Sequence, residues 1–152
     1  MIDSSSLIKQ KLLADLSDRE LELIANRLTP ETHAKGSRIF GEGERTQGIF
    51  LIGAGKVEIS KTTPDGWKQT LAVVAAPYFF GELSVIEDRE TRSTSAVALD
   101  NTELYRLKTE DFKELERTES PMMYKMMKTI ARMASRNVHT MNEKLMKALI
   151  SY

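Results

Sequence analysis

The segment Phe79-Phe80-Gly81-Glu82-Leu83-Ser84-Val85-Ile86-Glu87-Asp88-Arg89-Glu90-Thr91-Arg92-Ser93-Thr94-Ser95-Ala96 gathers the residues best suited to chemistry. Gly81 permits a close backbone approach or an unusual φ. Leu83 to Glu87 can form about one helical turn, whose first N–H groups favour an anion. Arg92 follows Gly81 by eleven residues and opens the next β run. Its planar guanidinium can hold a phosphate with two hydrogen bonds. Ser93 adds a hydroxyl and a backbone N–H, and Glu82 is an acceptor suited to a sugar hydroxyl. Together these groups form a cradle for a sugar phosphate. Taken singly, Arg92 reads as a surface charge and Glu82 as a solvated turn acid, so the weight rests on the whole string.

Such a cradle needs a scaffold. Ser17-Asp18-Arg19-Glu20 has the capping-box pattern, and Leu21, Ile24, Ala25 and Leu28 follow at helical spacing. Thr29-Pro30 ends that helix, and Leu7, Ile8, Leu12, Leu13 and Leu16 suggest another before it. From Gly36 to Leu107 the apolar residues come in short alternating runs. Turn clusters at Gly41–Glu44, Gly53–Gly55 and Pro64–Gly66 separate them, the rhythm of an all-β sandwich or barrel. Pro64-Asp65-Gly66 predicts a hairpin. Thr109 can cap a short helix carrying Phe112 and Leu115, and Ser120-Pro121 is a strong helix start. No Gly or Pro then interrupts the chain from Met122 to Ile150. Met123, Met127, Ile130, Ala134, Val138, Met141, Leu145 and Leu149 form one apolar stripe of this helix. Lys125, Lys128, Arg132 and Arg136 lie almost opposite.

Composition excludes several function classes. The chain of 152 residues has no Cys and only two His, His33 and His139. This rules out a disulfide framework, a Cys-based metal site and a thiol nucleophile, and leaves too few imidazoles for a typical zinc centre. The longest charge-free run, Gln69 to Gly81, has 13 residues, short of the about 20 that a spanning helix needs. The first residues lack the basic and apolar regions of a secretory signal, so a cytoplasmic location is expected. Zero net charge hides an asymmetry: residues 120–152 carry six basic residues against one acidic, leaving the rest at −5.

The Phe79–Ala96 segment resembles the phosphate-binding cassette of the cyclic nucleotide-binding domain family. The family pattern is Phe-Gly-Glu-Leu, an apolar turn, then Arg-Ser/Thr/Ala-Ala before a strand. Here it is Phe80-Gly81-Glu82-Leu83 and Arg92-Ser93-Thr94. Similarity extends to Leu16-Ser17 and Glu20-Leu21, to Gly36–Glu44, to Phe50-Leu51-Ile52 with Gly55-Lys56-Val57, and to Phe112 with Leu115. The resemblance implies an antiparallel β-roll of jelly-roll type with flanking helices, in a single domain over residues 1–152. N-terminal helices would occupy about 1–35, the roll 36–108 and C-terminal helices 109–152. It further implies that Glu82 accepts from the ribose 2′-hydroxyl, that Arg92 pairs with the cyclic phosphate and that Ser93 hydrogen-bonds it. The backbone of Gly81, Leu83 and Ser84 would line the pocket. The chain departs from the pattern at Thr91, where many members have Pro, and at Thr94, where Ala is usual. Ala75-Ala76-Pro77 replaces a Gly-containing turn, and the cassette is one residue longer than in kinase and channel members. None of these removes a phosphate ligand.

In this family the C-terminal helix covers the purine. Alignment of Ile130-Ala131-Arg132 with the Met-Ala-Arg of bacterial members places Asn137 at an adenine-contacting position, with Thr140 one turn on as the second candidate. An amide can both donate to and accept from a purine edge. The other readings of Asn137 are a polar residue that fixes register in a helix pair and a solvated side chain. Cyclic AMP is the favoured ligand and cyclic GMP the alternative. The long helix predicts a homodimer, or instead an acidic partner or a membrane surface for its basic face. The chain ends at Tyr152, so DNA binding by it alone is not expected, nor is a transmembrane segment; the downstream effector is unknown. No nucleophile–base pair or metal cluster is visible, so the expectation is a regulatory sensor and not an enzyme. The alternative is a protein-interaction or scaffold module that has lost nucleotide binding.

Overall fold

A computed structural model describes residues 2–151. Two short 3-10 turns, Ser4–Leu7 and Lys11–Leu13, precede helix α1, Asp18–Ala25. The expected capping box is present: Glu20 N donates to Ser17 Oγ (3.3 Å) and Ser17 N to Glu20 Oε1 (2.9 Å). The apolar set from Leu7 to Leu16 forms no continuous helix. Gln10 Nε2 donates to the Ile52 carbonyl (2.9 Å) and Lys11 N to the Pro77 carbonyl (3.0 Å). These contacts draw the chain onto the sheet and interrupt the helical ladder.

Eight antiparallel strands follow: β1 Leu28–His33, β2 Arg38–Phe40, β3 Gly48–Ala54, β4 Lys56–Thr62, β5 Lys68–Ala75, β6 Phe79–Phe80, β7 Ser95–Ala98 and β8 Thr102–Lys108. They form two four-stranded sheets, ordered β1-β8-β3-β6 and β2-β7-β4-β5. This is the expected β-roll. Its start requires a correction, because β1 lies within the segment expected to be helical to about residue 35. Thr29-Pro30 does end α1's run, but by starting a strand that pairs Leu28 with Leu107 and His33 with Thr102. β1 is an edge strand with one buried residue, Leu28, so it shows no apolar alternation. The edge position tolerates Pro30, which has no N–H to donate.

The pleat of β3 separates two cores. Ile49 and Leu51 point into a cluster with the N-terminal segment, Val85, Phe112, Leu115 and Met122, Met123 and Met126. Phe50 and Ile52 point into the roll with Phe40, Val57, Phe80, Ala96 and Leu104. β6 repeats this partition, Phe79 joining the first cluster and Phe80 the second.

Helix α2, Glu82–Ile86, interrupts the strands; α3, Thr109–Thr118, and α4, Ser120–Ile150, close the chain. α4 has 31 residues and is about 46 Å long. Its first half buries Met122, Met123, Met126 and Ile130, each contributing about 1.5–3 kcal/mol of apolar burial. Ion pairs from Lys125 to Glu20 (2.6 Å) and Arg132 to Asp15 (3.9 Å) fasten the same half to the N-terminal segment. From Ser135 to Ser151 every residue is exposed. The expected apolar stripe is therefore buried only in its first half; Val138, Met141, Leu145 and Leu149 face solvent. Among the described residues no helix is long and apolar enough to cross a membrane.

Candidate anion-binding site

Pairing of β6 with β3, Phe80 opposite Phe50 and Phe79 opposite Leu51, delivers the chain to Gly81. Gly81 caps α2 in the left-handed region, φ +80°. That conformation turns the strand into the short helix and is open to glycine without strain. The returning segment is held by the turn before β3. Thr46 N donates to the Glu90 carbonyl (2.9 Å), Arg92 N to the Glu44 carbonyl (2.8 Å) and Gly43 N to the Arg92 carbonyl (2.9 Å). Arg92 is thereby fixed by its backbone beside the start of α2.

Its side chain is 3 % exposed. Nη1 donates to the Gly81 carbonyl (2.7 Å) and Nη2 to the Gly48 carbonyl (2.5 Å). Nε and Nη2 both reach Gln47 Oε1 (3.4 Å). The guanidinium carbon lies 4.2 Å from the Phe40 ring centre and 5.8 Å from that of Phe50. Phe50 in turn stacks on Phe80, centroids 5.2 Å apart. Cation–π contact and neutral acceptors thus hold the charge. Among the described residues no carboxylate forms an ion pair with it.

Burial lowers the Arg92 pKa to about 10, against the opposing pull of Glu82; the group stays cationic at neutral pH. Burial also raises the Glu82 carboxyl above its ordinary value, while its own backbone N–H and the Arg92 charge pull the other way. Both charges are incompletely compensated. An anionic group beside Arg92 would relieve the first, and a hydroxyl donor would satisfy the second. Sugar phosphates carry both.

The structure gathers six of the expected residues around one turn. Gly81 and Glu82 are half-buried, Ser84 is buried, Arg92 is buried and Ser93 is half-buried. Leu83 is 53 % exposed and presents an apolar side chain beside the turn. Asn137 and Thr140 are not gathered there. They lie in the exposed half of α4, beyond Ile130, and their side chains make no hydrogen bond among the described residues. Sequence reasoning missed Gln47 and Gly48, which receive three of the guanidinium's hydrogen bonds. They precede Arg92 by 45 and 44 residues and carry no local signal. Only the docking of the 43–46 turn against residues 90–92 reveals them. Among the described residues no three His, Asp or Glu side chains are grouped to hold a metal ion.

The family model described as "Cyclic nucleotide-binding domain" matches residues 30–119. The cyclic AMP receptor protein of Thermus thermophilus is 35 % identical over 106 residues, covering 70 % of this chain and 49 % of the relative. A cAMP-dependent protein kinase regulatory subunit of Debaryomyces hansenii is 32 % identical over 84 residues, 55 % of this chain and 18 % of that one. Among solved structures, the Thermus thermophilus catabolite activator protein is similar with a TM-score of 0.76 and 30 % identity, over 93 % of this chain and 63 % of that chain. The chain thus spans about half the length of the curated receptor it matches.

Proposed function

Because this chain belongs to the cyclic nucleotide-binding domain family, we propose that it binds a 3′,5′-cyclic purine nucleotide, cyclic AMP in preference to cyclic GMP, as a regulatory sensor. The observation that carries this reading is Arg92: a buried cation with no carboxylate partner among the described residues, beside a half-buried acid. A cyclic phosphodiester bears one negative charge and fits one arginine. In this reading Arg92 and Ser93 take the phosphate and Glu82 accepts from the ribose 2′-hydroxyl. The backbone at Gly81, Leu83 and Ser84 lines the pocket. Asn137, with Thr140 as second candidate, covers the base, which requires the exposed half of α4 to close over the roll or to come from a second copy. Ligand binding then repositions the C-terminal helices by favouring one of their arrangements. No catalytic step is needed.

The partner of α4 in this reading is a second copy of the chain. Ala134, Val138, Met141, Leu145 and Ala148 recur at alternating spacings of four and three residues, the seam of a two-stranded coil. The name of one Thermus thermophilus relative, cyclic AMP receptor protein, points to cyclic AMP, and the binding preference is carried over on that likeness.

One observation favours the alternative, a scaffold without ligand. The Arg92 donors already meet acceptors within the chain. Isothermal titration calorimetry on protein stripped of nucleotide decides between them. Micromolar or tighter binding of one nucleotide, lost in Arg92→Ala, is expected. No heat with either nucleotide, from a chain folded by circular dichroism, overturns the sensor reading.

A further inference from the structure

The side of the cassette turned towards α3 bounds a cleft of about 570 Å³. Ser84, Val85, Asp88 and Arg89 line it from the cassette, and Thr109, Glu110 and Lys113 from α3. Lys113 Nζ and the Asp88 carboxylate form an ion pair between the two. Val85, 1 % exposed, belongs to the same apolar cluster as Phe112 and Leu115 of α3. Among the described residues Asp88 is the one non-glycine residue with positive φ, +55°. Aspartate tolerates that region better than most residues. It lets Asp88 N donate to the Val85 carbonyl (3.2 Å) and Arg89 N to the Ser84 carbonyl (2.9 Å). The turn after α2 is thus closed on the helix itself, and Asp88 moves with α2.

α3 is held from a second direction. Arg27, between α1 and β1, donates to Asp111 (2.8 Å) and Glu114 (2.6 Å). One residue, Glu119, separates α3 from α4. α3 thus continues from β8, packs Phe112 and Leu115 into the cluster that holds Ile49 and Leu107 of the roll, is tied to the cassette at Lys113, and is joined through Glu119 to the long helix. Apolar contact of Val85 with its cluster resists compression in any direction. The ion pair adds a specific direction, since it joins one atom of the cassette turn to one atom of α3.

We propose that the Asp88–Lys113 pair is a strut that carries displacement of α2 to α3, and through α3 to α4. This rests on the sensing function above, because Gly81 and Glu82 at the start of α2 are part of that site. An exposed ion pair contributes little energy and the coupling it carries is bounded by that contribution, so its loss should weaken the coupling of the helices by up to about five-fold without abolishing ligand binding.

The test uses the full chain, which has no native cysteine. Spin labels are placed on cysteines introduced at the exposed positions Glu103 on β8 and Ser135 on α4, with labelled chains diluted into unlabelled ones. The distance between them is measured with and without saturating cyclic AMP. The wild-type background should show a ligand-induced shift. Lys113→Gln should reduce that shift by at least half while its calorimetric affinity for cyclic AMP stays within about five-fold. The conservative Lys113→Arg, which leaves Asp88 and its positive φ in place, should keep the shift. A full shift in Lys113→Gln overturns the strut while leaving the sensor intact. Absence of cyclic AMP binding in the wild type overturns the sensor and the strut with it, and calorimetry tells the two failures apart.

Discussion

Arg92 and Gly81 compete for one space. Nη1 of Arg92 donates to the Gly81 carbonyl at 2.7 Å, and a β-carbon on Gly81 would lie 2.9 Å from that same nitrogen. Gly81 also sits at φ +80°. Two independent physical reasons, backbone conformation and the neighbouring guanidinium, therefore require glycine where the cassette begins.

Gly81→Ala should carry both penalties. The left-handed conformation costs about 1–2 kcal/mol for a residue with a β-carbon, and the guanidinium must give way as well. For a chain of this length the melting temperature should fall by roughly 3–8 °C. Arg92 is displaced by the same change, so cyclic AMP affinity should fall more than about tenfold. Scanning calorimetry and titration calorimetry on the same preparation check both; native affinity at a lowered melting temperature contradicts the pairing.

Glu82 links stability to pH in an unusual direction. Burial raises its folded-state pKa above the ordinary 4.5. Between 4.5 and that raised value the folded chain holds more protons than the unfolded one, so this group's contribution to stability falls as pH rises through the window. Once ionised, the buried carboxylate is a liability in the unliganded protein and, in the proposed reading, the acceptor for the ribose hydroxyl. Glu82→Gln should remove this component of the pH slope and hold or raise the melting temperature at pH 7. Cyclic AMP binding should weaken at least about tenfold, the worth of a hydrogen bond to a charged group. Melting temperatures across the acid range, for both chains, are the measurement. A variant that melts well below the wild type at pH 7 refutes this assignment.

The cassette was legible because its chemistry is consecutive: Gly81, Glu82, Arg92 and Ser93 lie within one short segment. Arg92's acceptors were not, because Gln47 and Gly48 meet it only through the docking of two distant turns. β1 escaped because an edge strand with one buried side chain has no alternation to read. The first helix was overestimated for the opposite reason. Leu7, Leu12 and Leu13 have the spacing of a helix, yet Gln10 and Lys11 spend their hydrogen bonds on β3 and the Pro77 turn. The stripe on α4 was read correctly as apolar, but periodicity alone does not say which half the roll covers.

Arg27 anchors α3 through two carboxylates on one guanidinium, and those contacts push its pKa up. The side chain is 34 % exposed, so solvent screens much of the interaction. Arg27→Gln should destabilise the fold by about 0.5–1.5 kcal/mol, and less in high salt. Urea denaturation at two ionic strengths measures this. A loss that does not shrink with salt would assign the stabilisation to packing of the arginine stem.

The distal half of α4 gives the last prediction. Val138, Met141, Leu145 and Leu149 are 54–67 % exposed on a helix whose Met122, Met123 and Met126 are buried. Four large apolar side chains in one stripe are costly to leave in water, and pairing with the same stripe of a second copy removes them from it. Lys144 and Lys147 fall outside the stripe, so pairing along it leaves them solvated. Leu145→Glu places a charge in the seam's centre and touches nothing in the roll. Sedimentation velocity at tens of micromolar should show a dimer for the wild type and a monomer for Leu145→Glu, with association weakened at least about tenfold. The melting temperature of the roll, read at low concentration where both chains are monomeric, should not change. A wild-type monomer under these conditions would reject the helix pair and assign the stripe to a different partner.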